Sequence, residues 1–322
     1  DLLTRPLVRV ALAALGVGML AVTVWVAGAR AVLEGLGASV HALPEVAALE
    51  AVMLLCTTLG LRSLYGVEAK RVSGRQWLRA GAMGFAVGAV LPLSRASAEA
   101  TRAVLLRKSV GGPRAAVAAV QMQGVALLAN AFTSLLALSA TLVLLGFGAM
   151  SMLLLGNSIL VGALGASILV VRQHARPGRL LGALAKRGRK FGSDFDAASG
   201  ASRRSLLQAL AWESTARAIQ VFQCGVALAA VGRPSGLGRT LVARGMLLVG
   251  GALGDIIPAQ LGATEATLVV GAAGLGLTAA TAATLALLIH GAQLALALVC
   301  TGVAVGVPAA PQLATDTVET GP

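Results

Sequence analysis

The segment IIPAQLGATEAT, Ile256 to Thr267, puts a proline, a glutamine and a glutamate into an otherwise apolar region, directly after Asp255. A second segment, VLPLSRASAEAT, Val90 to Thr101, lies 166 residues earlier and can be laid over the first without a gap. Extended to GFAVGAVLPLSRASAEAT (84–101) and GGALGDIIPAQLGATEAT (250–267), the alignment has seven identities in eighteen positions: Gly84/Gly250, Ala86/Ala252, Gly88/Gly254, Pro92/Pro258, Glu99/Glu265, Ala100/Ala266 and Thr101/Thr267. Alanine and glycine matches mean little in this composition, but the proline, glutamate and threonine matches point to an internal repeat. Proline disfavours helix in the residue before it and has no N–H to donate. Each segment therefore reads as a helix that breaks at Pro92 or Pro258 and resumes: about 77–91 then 97–108, and about 240–256 then 263–275.

The surrounding chain reads as membrane-embedded. Hydrophobic residues make up 57% of it and charged residues 12%, and the mean hydropathy is +0.84; soluble domains run at about 45–50% apolar and 25% charged. Several apolar runs exceed the ~18 residues that cross a hydrocarbon core of about 30 Å as a helix, whereas the ten-residue alternation of a membrane β-barrel is missing. Six crossing helices are expected, at about 7–28, 42–65, 114–146, 150–171, 205–231 and 279–306, with the two broken regions between them. Leu7 to Gly28 is long enough to span and lacks a small-residue cleavage site, which argues against a signal peptide. Cys56, Cys224 and Cys300 sit in apolar runs without a CxxC or Cys/His pattern and read as buried small hydrophobes.

The charge distribution decides how the broken regions run. There are 26 Lys and Arg against 13 Asp and Glu. If the first broken region is a re-entrant hairpin, one side of the membrane carries Arg5, Arg9, Lys70, Arg71, Arg75, Arg79, Arg107, Lys108, Arg114 and the nine basic residues from Arg172 to Arg204. The other side carries Arg30, Arg233 and Arg239, a ratio of 18 to 3. If that region spanned, the most basic loop would move outside, against the positive-inside rule. Three crossings then separate the two hairpins, so they enter from opposite sides and the repeat is inverted. The expected fold is an all-α polytopic membrane protein, about six crossings plus two re-entrant helical hairpins, as one domain over 1–306. The N-terminus and the basic loop 172–204 are expected in the cytoplasm; in that loop Leu180, Leu181 and Leu184 form an apolar patch suited to anionic headgroups. The tail from Val307 has no Lys or Arg and is expected to be disordered. The basic residues lie between apolar runs rather than on an aromatic-rich face, so nucleic acid is not an expected partner.

Charged groups inside a bilayer cost about 2.5–3.5 kcal/mol each on insertion scales, which makes them candidates for function. They concentrate at the two breaks: Arg95, Glu99 and Arg102 in the first, Asp255, Gln260 and Glu265 in the second. Glu99 follows Arg95 by four and precedes Arg102 by three, so the three can share a helix face. Neutralisation at a turn is one reading. The other uses the half-helices after Pro92 and Pro258, whose free N–H groups would hold a phosphate, with Arg95 and Arg102 adding charge-assisted bonds. Glu99, Asp255 and Glu265 would then meet a cationic headgroup or a coupling proton. Pro92, Pro258 and Gly262 mark the breaks. Gly84/Gly88 and Gly250/Gly254 have the small-xxx-small spacing of close helix packing. Secondary candidates are Glu213 and Arg217 at i, i+4, and His290 and Gln293 at i, i+3, each equally readable as structural pairs. Three histidines, none near another, argue against a metal site. GAAGLG (271–276) follows no strand, and no P-loop or GxSxG is present, so neither a cofactor nor enzymatic chemistry is expected.

VLPLSRASAEATRAVLLRKSVG with AAVAAVQMQGVALLAN after it, and DIIPAQLGATEATLVVGAAGLGL with ALLIHGAQLALALV after it, resemble the transmembrane flippase domain of lysylphosphatidylglycerol synthases, over roughly Leu7 to Gly306. The resemblance implies translocation of a lipid between leaflets of a bacterial inner membrane, in that family's best-known members an aminoacylated phosphatidylglycerol. Pro92, Glu99 and Arg102 match the first motif, though Ser94, Ala96 and Ser97 stand where the family has glycines; Pro258, Gly262 and Glu265 match the second. No aminoacyl-transferase domain follows Pro322 in this sequence, so the chain is not expected to make such a lipid itself. Its expected partners are membrane lipids, anionic or aminoacylated, with a lipid-modifying enzyme or further copies of itself as others. Two alternatives stay open: a secondary transporter of a soluble solute, and a non-transporting accessory subunit of a lipid-modifying enzyme.

Overall fold

A computed structural model describes residues 6–174, 189–198 and 200–307, and every element in them is helical. In chain order they are α1 (Pro6–Ala27), α2 (Ala29–Ser39), α3 (Leu43–Tyr65), α4 (Gly74–Val90), α5 (Ser94–Val110), α6 (Gly112–Leu145), α7 (Ala149–His174), α8 (Arg189–Ala197), α9 (Arg203–Ala230), α10 (Leu237–Gly254), α11 (Ala263–Val270) and α12 (Ala279–Gly306). Among the described residues five stretches are long and apolar enough to cross a membrane: Val10–Ala27, Ala29–Arg71, Gly112–Leu145, Ala149–Val171 and Ala279–Gly306. The sixth expected crossing is a 28-residue helix, α9, but Glu213, Arg217 and three glutamines dilute its apolar character. Helix α2 was not anticipated; Gly28, at φ 94°, turns the chain into it directly from α1. The second helix after Pro258 is shorter than expected, ending at Val270 with a 3-10 turn over Ala272–Leu275. Leu180, Leu181 and Leu184 and the tail from 308 lie outside the described residues.

Local chemistry sets the helix ends. Ser73 caps α4 in a capping box with Gln76, each satisfying the other's backbone N–H. Pro44 sits in the first turn of α3, where a missing N–H is harmless. The two proline breaks occur where expected, and in both the residue after the proline is left-handed: Leu93 at φ 54° and Ala259 at φ 56°. With Gln260 they are the non-glycine residues of positive φ among the described residues.

Each break folds its two helices against one another. A Cβ on Gly88 would lie 2.8 Å from the Ser94 carbonyl oxygen and 3.0 Å from Ala98 Cβ; one on Gly254 would lie 2.6 Å from Ala263 Cβ, and one on Gly250 3.0 Å from the Ala263 oxygen. The small residues thus serve packing within each hairpin, α4 on α5 and α10 on α11. The first hairpin shares a core with α3 and α6, including Leu61, Leu64, Trp77, Leu106 and Met122. The second shares one with α9 and α12, including Leu228, Val242, Met246, Leu268 and Leu285. A third cluster, with Cys56, Phe85, Ala216 and Cys300, joins α3, α4, α9 and α12. All three cysteines are buried and unpaired. Helix α7 lies mainly along α6 and reaches α10 through Leu154, which packs with Ala137 and Val249.

Gly88→Ala and Gly250→Ala should each lower the melting temperature of the purified protein, because the added methyl meets backbone and overpacking costs about 1–3 kcal/mol. Gly156→Ala, whose Cβ would meet nothing within 4 Å, should leave it unchanged or slightly raised.

Candidate functional site

The two breaks meet. The Leu93 N–H donates to the Asp255 carbonyl at 2.6 Å, the Ser94 hydroxyl donates to Asp255 Oδ1 at 3.2 Å, and Gln260 Nε2 donates to Ser94 Oγ at 3.1 Å. Groups that a helix would have satisfied internally are satisfied across the junction. Beside it lies a cavity of about 430 Å³ reached by side chains of α3, α5, α6, α7, α9, α10, α11 and α12.

Its charged wall is built on α9. Glu213, Arg217 and Gln220 share one face at i, i+4 and i+7. Glu213 is fully buried and accepts from Arg217 Nη2 at 2.8 Å and Arg95 Nη1 at 3.4 Å. Arg95 reaches it from the first turn of α5, just past the break. The Gln220 side-chain carbonyl accepts from two guanidiniums, Arg217 Nη1 at 2.6 Å and Arg244 Nη2 at 2.5 Å. Arg244 has no carboxylate among its hydrogen-bond or ion-pair partners in the described residues. One carboxylate therefore bonds both Arg95 and Arg217, none bonds Arg244 directly although the Glu50 charge is close enough to act on it, and two cations converge on a single neutral oxygen.

Two acids face the same space with neutral partners. Glu50, 4% exposed, accepts from Gln223 Nε2 at 2.8 Å. Asp255 accepts from Ser94, with Gln260 at 3.5 Å. The α6 and α7 side is polar but uncharged, with Gln123, Asn130 and Asn157; the Gln123 Oε1 and Asn130 Oδ1 atoms are buried without a hydrogen-bond partner among the described residues. His290 and Gln293 of α12 complete the lining. His290 Nδ1 is 2.8 Å from Glu265 Oε1, and Glu265 Oε2 also accepts from the Gly262 N–H at 2.8 Å and the Thr264 hydroxyl at 2.9 Å.

Of the residues singled out in the sequence, the structure brings Arg95, Asp255, Gln260, Arg217, His290 and Gln293 to the cavity lining. Glu213 and Glu265 sit directly behind it, each holding a lining side chain. Glu99 and Arg102 are elsewhere. They form a 2.5 Å ion pair, both side chains under 10% exposed, wedged between α4 and α5. Gly84 makes the slot, since a Cβ there would lie 2.6 Å from Arg102 Nε. Glu50, Gln220, Arg244, Gln123, Asn130 and Asn157 were not singled out, although the same cost of intramembrane polarity applies to each.

Cations gathered on one acceptor bind anions, and carboxylates held by neutral donors bind cations. The cavity has groups for both. Leu160 and Leu164, about halfway along α7, line the cavity and are themselves 62% and 50% exposed.

A family model described as "Lysylphosphatidylglycerol synthase TM region" matches residues 7–300. The chain belongs to that family and is a multi-pass membrane protein of a group tied to lipid metabolism. No curated protein and no solved structure matches it.

Removing the shared carboxylate should be severe. Glu213→Gln leaves the buried Arg217, and the half-buried Arg95 beside it, without their shared carboxylate and should destabilise the protein by about 3–5 kcal/mol, as for other broken buried pairs. Glu213→Gln with Arg217→Gln should recover part of that loss in denaturant melts; equal stability of wild type and Glu213→Gln would show that the pairs contribute nothing.

Proposed function

We propose that this member of the lysylphosphatidylglycerol synthase transmembrane family moves a phospholipid, or a lipid-linked headgroup, between the leaflets of a bacterial inner membrane. The observation that carries the proposal is that Leu160 and Leu164 line the cavity and are also exposed on the outer face of α7, which we read as a lateral opening. A soluble solute needs a path closed to the acyl chains, whereas a lipid needs a polar chamber with a slot through which its tails stay in the bilayer. The mouth lies midway along a helix long and apolar enough to span, where tails would pass.

In this reading the headgroup phosphate takes the place between Arg217 and Arg244, as a better acceptor than the Gln220 carbonyl. A cationic amine of an aminoacylated lipid would meet Glu50 and Asp255, and its hydroxyls the free amide oxygens of Gln123 and Asn130. The step makes and breaks no covalent bond, so the protein acts as a passive or gradient-coupled carrier and not as an enzyme.

The repeat gives such a carrier its two faces. The aligned residues Leu93 and Ala259 both adopt the left-handed conformation, the aligned Gly88 and Gly254 both pack within their hairpins, and α6, α7 and α9 separate the two units. This supports two re-entrant hairpins, entering from opposite sides, whose tips join near the midplane. α4 and α5 have 17 residues each, or about 25 Å at roughly 1.5 Å per residue, less than the span of a hydrocarbon core. The distribution of Lys and Arg supports a cytoplasmic N-terminus and 172–204 segment.

Liposomes reconstituted with the protein and labelled anionic, zwitterionic or aminoacylated lipids test the reading. Wild type should flip at least one class well above empty liposomes. Arg244→Gln should slow it at least tenfold, Asp255→Asn should act selectively on the amine-bearing lipid, and Leu160→Trp should narrow the mouth and slow all classes. No flipping of any lipid, or uptake of a water-soluble solute instead, would overturn the proposal; unaffected flipping in all three variants would remove the cavity from the path.

A further inference from the structure

The aligned glutamates Glu99 and Glu265 are both buried, but their partners differ in kind. Glu99 pairs with Arg102, a cation at every accessible pH, three residues along the same helix. Glu265 pairs with His290 on α12, a cation only when it carries a second proton. The first pair is sealed between α4 and α5, while His290 lines the cavity. One copy of the repeat thus has a permanent neutralising charge and the other a removable one, beside the space where the cargo would sit.

We propose that His290 and Glu265 form a proton-binding site in the cavity wall, and that its proton sets how firmly the second hairpin is tied to α12. Two donors, the Gly262 N–H and the Thr264 hydroxyl, already point at Glu265 Oε2, so the group is used as a carboxylate. A carboxylate only accepts, so His290 Nδ1 keeps its hydrogen toward Oε1 in both states. The proton is taken from cavity water by the lone pair on Nε2 and returned to it; no hydrogen bond among the described residues occupies that nitrogen. With the proton on, the bond between α11 and α12 is charge-assisted; with it off, it is an ordinary hydrogen bond from a neutral ring.

The charged surroundings are defined. Of the elements packed on α12, α3 brings Glu50 and α9 brings Arg217 to this cavity, with Glu265 of α11 and Glu213 of α9 directly behind its wall. α1, α2 and α4 bring no charged side chain to it, the Arg30–Glu34 pair of α2 being exposed. Arg95, Arg244 and Asp255 complete the charged lining. A phosphate at Arg217 and Arg244 would favour the protonated ring and an ammonium at Glu50 or Asp255 the neutral one, so cargo and proton would report on each other through the same wall. That coupling rests on the lipid reading above; the proton site itself does not.

The experiment uses the full chain in lipid nanodiscs with His41→Gln and His174→Gln, leaving His290 as the one histidine. Nuclear magnetic resonance of the labelled ring, followed against pH, should show it gain and lose its second proton, at a midpoint that moves when Glu265 becomes Gln. Amide exchange of residues 259–270, corrected for its intrinsic pH dependence, should speed up about fivefold across that titration in the otherwise wild-type chain, the scale of losing charge assistance from one bond. In His290→Gln and Glu265→Gln it should not respond to pH. A ring whose signals never change, or exchange in 259–270 that ignores the titration, overturns the proposal. In liposomes, an imposed pH gradient should drive unequal lipid distribution with wild type and not with His290→Gln. If the ring titrates and the hairpin loosens but no lipid moves, the proton site stands and the lipid reading falls. If lipid moves equally with and without the gradient, the lipid reading stands and the coupling falls.

Discussion

The hydrogen bond from the Leu93 N–H to the Asp255 carbonyl is the contact on which the rest of the architecture depends. A polypeptide in hydrocarbon must satisfy its backbone polar groups internally, which is why interrupted helices are rare in membranes. Here two interruptions exist because each supplies what the other lacks: a backbone bond between them, reinforced by Ser94, Asp255 and Gln260. Neither break would be tolerable alone. Their meeting also fixes where polarity can exist inside the bundle, and the charged residues of α3, α9 and α10 open onto that same place.

Around this junction the charges are arranged in two ways. Some meet an opposite charge directly: Glu99 with Arg102, and Glu213 shared between Arg95 and Arg217, which leaves that cluster one cation in excess. Others are held by neutral amides and hydroxyls, as Glu50, Asp255 and Arg244 are. The Glu99–Arg102 pair fixes the packing of α4 on α5, whereas the shared charges and those supported by neutral groups keep a capacity to interact with something that enters. The distinction depends on which partners the fold supplies to each charge, and a charge count of the chain would not reveal it.

Much of this was legible in the sequence because proline and charge are so out of place in lipid. Pro92 and Pro258 gave the breaks to within a residue or two, and apolar runs gave the long helices. What stayed hidden is which way an intramembrane polar residue faces. By spacing alone Glu99 could pair with Arg95 or with Arg102; the slot over Gly84, on a different helix, selects Arg102 and frees Arg95 for a carboxylate 118 residues away. Arg244 and Glu50 are lone charges in apolar runs, and nothing local distinguishes one facing a cavity from one facing a partner helix. Gln123 and Asn130, seven apart on α6, and Asn157 on α7 share a wall only once the two helices are packed. Helix α2 escaped notice because a glycine-initiated turn separates it from a longer apolar helix.

Leu93 and Ala259 hold a left-handed backbone that glycine would adopt with less strain. A glycine at either point would be a joint, free to swing through conformations on both sides of the map. A side chain closes most of those routes and makes the corner a bracket. Each hairpin tip is therefore a stiff part, and the bonds of Leu93, Ser94, Asp255 and Gln260 tie the two tips together. Any change of shape would fall to the seams around the joined tips, where α7 touches α10 far less than it touches α6.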